Sequence, residues 1–113
     1  MDAPEIHLLA VGGALPGPAV DNARLAGLFG ADELWQQWVE VFLGTLTRHF
    51  AVDLETNEVR YWLADLGTTA AQRALAGAGL DAADVDLVVL ATSTPDQLMP
   101  ATVNVIEIGR AHV

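Results

Sequence analysis

The chain has 113 residues, with 5 basic against 15 acidic side chains, a formal net charge of −10 and 52% hydrophobic residues. That charge repels a nucleic-acid backbone, and that apolar content demands a core, so neither a nucleic-acid binder nor a disordered acidic tail fits. No cysteine is present, which excludes disulfides, thiolate metal sites and a cysteine nucleophile within these residues. No apolar run has the length of a membrane span, and MDAPEIHLLAVGG lacks the basic region of a secretory signal, so a cytoplasmic location is expected.

Ile6–Val11 is a nearly continuous apolar run and predicts a strand buried on both faces, stopped by Gly12 and Gly13. Asp21 or Asn22 caps a short helix running to Phe29, with Leu25 and Leu28 on one side and Gly30 ending it. A second short helix is expected from Asp32 to Val39, with Leu34, Trp35 and Trp38 as its apolar face. Either both of its tryptophans pack on the core, or one of them lines a ligand or partner surface. Val39–Leu46 fits the end of that helix or the start of a strand, and Gly44 weakens both. Arg48–Val52 reads as a short strand and Asp53–Asn57 as a polar turn.

Leu63–Ala78 is the clearest helix. Asp65 lies in its first turn and Gly79 follows its last. Leu63, Leu66, Ala70 and Ala74, with Ala71, Leu75 and Ala78, form a face of mostly small side chains that permits close approach to a sheet. Asp81–Asp84 links it to Val85–Ala91, the strongest strand signal in the chain. Thr92–Asp96 is then a polar loop at the end of a buried strand, where open α/β sheets place ligands, and Pro100 opens a further helix. The fold class is therefore α/β, with a parallel sheet expected but too few strands to cover the helices.

Catalytic signatures are sparse. His7, His49 and His112 show no metal-ligand spacing. Gly12-Gly13 lacks the dinucleotide-binding pattern, and Ser93 sits in no GxSxG elbow. Arg48-His49 reads as a solvated strand-edge pair, with anion binding as the alternative.

Specific stretches nevertheless resemble one family. RALAGAGLDAADV (Arg73–Val85) followed by DLVVLATSTPDQLMPAT (Asp86–Thr102) resembles the amino-terminal part of the 3-oxoacyl-acyl-carrier-protein synthases III, ketosynthases of the thiolase superfamily. AVGGALPGPAVDNARL (Ala10–Leu25) resembles their opening strand and loop. WVEVFLGTLTRHF (Trp38–Phe50) resembles their Trp-Ile-x-x-Arg-Thr-Gly-Ile-x-x-Arg segment. The resemblance spans residues 5 to 106 and implies an incomplete amino-terminal part of a thiolase-like fold.

It further implies a longer, homodimeric parent in which a cysteine takes an acyl group from acyl-CoA. A histidine and an asparagine then assist decarboxylation of a malonyl carrier protein, and the resulting carbanion attacks the acyl-enzyme. Those three residues belong to segments outside this chain, so the chain itself is expected to be inactive. Some relatives in secondary metabolism transfer acyl groups without condensation, and a non-catalytic interaction protein is the remaining alternative.

Carried over by position, Trp38 matches the tryptophan that stacks on the adenine of CoA, and Arg48 matches the last arginine of the segment. Phe42 stands where the family arginine contacts CoA, Leu43 where its threonine stands and Thr45 where its isoleucine stands. The exchange at Phe42 removes a charge-assisted contact to phosphate and points to a different donor, a decayed copy or a sequence error. The final Ile108–Val113 also matches a translated short-read sequencing adapter, ATC GGA AGA GCA CAC GTC, whose next codon is TGA. Residues 1–106 are accordingly expected to be native, and residues 107–113 a foreign tail.

Overall fold

Residues 3–95 are described by a computed structural model of the chain. The helix predicted after Pro100 and the tail at 107–113 lie outside the described residues. The fold separates into two units, Leu15–Tyr61 and Met1–Ala14 with Trp62–Val113.

In the Leu15–Tyr61 unit the order is β1 (Val20–Asp21), α1 (Asn22–Phe29), α2 (Glu33–Trp38), a π-helical turn (Val39–Leu43) and β2 (Thr47–Arg48). Asp21 caps α1, its carboxylate accepting from Arg24 N–H at 2.8 Å, and Gly30 ends it in the left-handed conformation. Asp32 caps α2 in the same way through Trp35 N–H at 2.9 Å. The ambiguous Val39–Leu46 segment extends the helix rather than starting a strand. It widens into the π-helical turn, and Gly44, at φ 68°, closes it. β1 and β2 pair antiparallel, Val20 opposite Arg48 and Asp21 opposite Thr47. Val20, Leu25, Ala26 and Val39 form the apolar core of this unit, around the buried Asn22. Leu28, expected beside Leu25, is exposed, whereas Leu25 is buried.

The strand expected over Arg48–Val52 is shorter than predicted. Only Arg48 belongs to β2, and Val52 makes a separate antiparallel bridge to Val59. Between them the polar turn folds as expected, with Asp53 N–H donating to Glu58 C=O and Asn57 N–H to Asp53 C=O, each at 2.8 Å. Asn57 takes the left-handed conformation at φ 59°, which asparagine tolerates better than most residues.

The second unit is built on α3 (Leu63–Ala78). Asp65 reaches back to the Trp62 N–H at 3.3 Å, and Gly79 closes the helix at φ 68°. The small-residue face does what its composition predicts. An added Cβ at Gly12 would lie 2.5 Å from both Ala70 O and Ala74 N, and one at Gly77 would meet the Ala10 methyl at 3.4 Å. The chain around Gly12 therefore lies directly on the helix backbone. Arg73 fastens the same loop, donating from Nη1 to Gly13 C=O at 2.7 Å. Ala71, placed on that face by spacing, is exposed. A 3-10 turn, Ala82–Asp84, follows, with Asp81 N–H donating to the Asp84 carboxylate at 2.9 Å.

Ile6–Val11 and Val85–Ala91, both predicted as strands of a parallel sheet, carry no ladder pairing among the described residues. The one described sheet is the antiparallel pair β1–β2. Apolar composition marks a segment for a sheet, but a strand exists only when a neighbour takes its hydrogen bonds. Ile6, Leu8, Val11, Leu87 and Val89 are correspondingly exposed. The result, among the described residues, is a partial, unclosed α/β fold. No described helix is long and apolar enough to cross a membrane.

Candidate functional site

The residues singled out by sequence, Trp38 and Arg48, both lie in the Leu15–Tyr61 unit. Trp38 ends α2 and is 50% exposed, whereas Trp35, one turn earlier, is half-buried. Phe42, in the π-helical turn, is 73% exposed, and its ring lies against that of Trp38 with centroids 5.9 Å apart and planes inclined by 37°. Such tilted contacts are favourable beyond the area they bury. Leu34, Val41, Leu43 and Leu46 are exposed on the same stretch of chain. Its charged members are the exposed acids Glu33 and Glu40. Helix and π-turn thus present an aromatic ledge with acidic neighbours, with Trp38 exposed on it and Trp35 half-buried.

Arg48 is placed differently. Its Nη2 donates to Asn22 Oδ1 at 2.6 Å, and Asn22 Nδ2 donates to Thr45 C=O at 2.9 Å. Asn22 is 2% exposed. The pair therefore ties β2 and the segment after Gly44 to the first residue of α1. Arg48 Nη1 is buried without a hydrogen-bond partner among the described residues. The neighbouring His49 is bound through Nδ1 to Gly17 O at 2.9 Å, which makes it part of the same framework rather than a solvated edge. Asn22 is the residue that sequence reasoning undervalued. As a helix-capping candidate it signals nothing about partners 23 and 26 residues away.

The remaining arginines of this unit are also engaged. Arg24 pairs with Glu55 at 3.6 Å, and Arg60 with Glu58 at 3.2 Å and Asp53 at 3.5 Å. Asp53 organises its turn by accepting from Glu55 N–H at 2.9 Å and Thr56 N–H at 3.0 Å. The backbone N–H of Thr56, then that of Glu55, hold its carboxyl below the ordinary carboxylate value, and Arg60 adds to the effect. A cleft of about 430 Å³ is lined by Pro18, Val20, Phe50, Val52 and Leu54 together with Arg24, Asp53 and Glu55. Among the described residues no three histidine or carboxylate side chains converge as a metal site.

Comparison with known proteins places this partial fold. No family model matches the sequence. The β-ketoacyl-acyl-carrier-protein synthase III of Rhodospirillum rubrum is 45% identical over 98 residues, which is 87% of this chain but 28% of that protein. That of Lactiplantibacillus plantarum is 38% identical over 95 residues, 84% of this chain and 27% of the relative. Among solved structures, the tetronic acid condensing enzyme AbyA1 superposes with a TM-score of 0.82 at 56% identity, covering 87% of this chain and 29% of that one. The 3-oxoacyl-(acyl carrier protein) synthase III of Pseudomonas aeruginosa superposes with a TM-score of 0.74 at 34% identity, covering 93% of this chain and 29% of that one.

The fold is thus that of the thiolase-like condensing enzymes. Within them the chain belongs to the 3-oxoacyl-acyl-carrier-protein synthase III family, and it spans less than a third of the length of the relatives above.

Proposed function

We propose that this chain is the amino-terminal part of a ketosynthase III-type condensing enzyme that joins two acyl thioesters in secondary metabolism. The observation that carries the reading is the 56% identity to a tetronic acid condensing enzyme over 87% of the chain, above the 45% to a β-ketoacyl-acyl-carrier-protein synthase III over a similar span. In this chemistry a cysteine thiolate attacks the donor thioester and releases its thiol. Decarboxylation of a malonyl thioester on an acyl carrier protein releases carbon dioxide and leaves a carbanion. The carbanion attacks the acyl-cysteine, giving a 3-oxoacyl thioester and the free thiolate. The 113 residues hold no cysteine, so the nucleophile comes from outside them and the chain alone forms no acyl-cysteine.

Residues 1–106 serve in this reading as scaffold and donor rim within a cytoplasmic homodimer. Trp38 offers an aromatic face at the donor entrance, and Arg48 holds that rim in place through Asn22. Residues 107–113 are a foreign tail, which a long read of the source DNA across the codon for Val105 checks directly. The functional test is intact-protein mass spectrometry of the complete reading frame after incubation with acyl thioesters. A single acyl adduct, discharged by malonyl carrier protein as a 3-oxoacyl product, supports the reading. Discharge to an oxygen acceptor without loss of carbon dioxide would replace it with simple acyl transfer. A natural frame without a cysteine would leave a non-catalytic protein.

A further inference from the structure

We draw no further inference here: the strongest candidate, the cleft of about 430 Å³ walled by Pro18, Val20, Phe50, Val52 and Leu54 in the Leu15–Tyr61 unit, has its charged members Arg24, Asp53 and Glu55 already held in ion pairs, and nothing among the described residues shows what covers it.

Discussion

Arg48 and Asn22 are joined by a 2.6 Å hydrogen bond between a strand and the first residue of a helix, 26 residues apart in sequence. Asn22 spends its other side-chain group on Thr45 C=O, so one buried amide fixes both the strand and the segment leading into it. Removing one partner of a buried bond leaves the other unsatisfied, which costs about 1–3 kcal/mol. Asn22→Ala is therefore expected to speed hydrogen exchange of the Thr47 and Arg48 amides in the complete protein by about tenfold or more. Arg48→Lys is not expected to restore protection, because an ammonium does not reproduce the planar guanidinium. The double variant Asn22→Ala, Arg48→Met should cost less than the sum of the two single changes. Additive effects would show that the bond carries no coupling.

Gly12 marks the closest approach in the second unit. A methyl group there would lie 2.5 Å from a carbonyl oxygen and an amide nitrogen of α3, both backbone atoms that a rotamer change cannot move. Gly12→Ala is expected to push the loop off the helix and to cost about 1–3 kcal/mol, the usual range for overpacking. Gly13→Ala meets nothing within 4 Å and should be close to neutral. Paired thermal denaturation of the two variants separates steric contact from a general effect of losing glycine. A Gly12→Ala protein that melts with the native one would refute the close packing.

These relationships also mark the boundary of what is legible in the sequence. The limits of α3, its small-residue face and the capping of α1 and α2 are local properties, set by spacing and by side chains within one turn. Composition likewise marks Trp38 and Phe42 as apolar neighbours four residues apart. It does not reveal that both face outward, because exposure depends on what the rest of the fold covers. The two predicted strands carry no ladder among the described residues for the same reason, since a ladder is a property of two segments. Asn22 and Arg48 were visible individually as a cap and as a matched arginine, but their bond is a long-range fact. The family motifs carried more of the functional reading than any single residue's chemistry did.

Asp53 gives the turn between Val52 and Val59 a pH dependence of definite sign. Two backbone N–H groups and Arg60 favour its charged form, so its folded value is depressed. A depressed carboxyl contributes stability above its unfolded value, and that contribution disappears as pH falls through the folded value. Carbon-detected titration of the Asp53 carboxyl is expected to show a midpoint below that of a free aspartyl peptide. Acidification through that midpoint should loosen the turn amides of Glu55 and Thr56. Asp53→Asn keeps an acceptor oxygen and should remove this local pH response while leaving the turn formed. A midpoint at or above the peptide value would contradict the hydrogen-bonded geometry.

The exposed apolar segments predict how the 113-residue chain behaves when prepared alone. Ile6 is 95% exposed, Leu8 84% and Val89 81%, although these segments have the composition of buried strands. Each apolar side chain left in water forgoes about 1.5–3 kcal/mol of burial, and exposed strand-like segments without a ladder among the described residues offer a template for other chains. The isolated chain is therefore expected to bind an apolar dye, to self-associate at micromolar concentration and to lack a sharp cooperative melt. Leu8→Lys combined with Val89→Lys should reduce association, since exposed lysines disfavour edge-to-edge pairing. It should leave the circular-dichroism signal of α3 intact, because neither residue belongs to that helix. Sedimentation velocity with dye binding decides the matter. A monomeric chain with a single steep thermal transition and no dye binding would mean that these segments find internal partners.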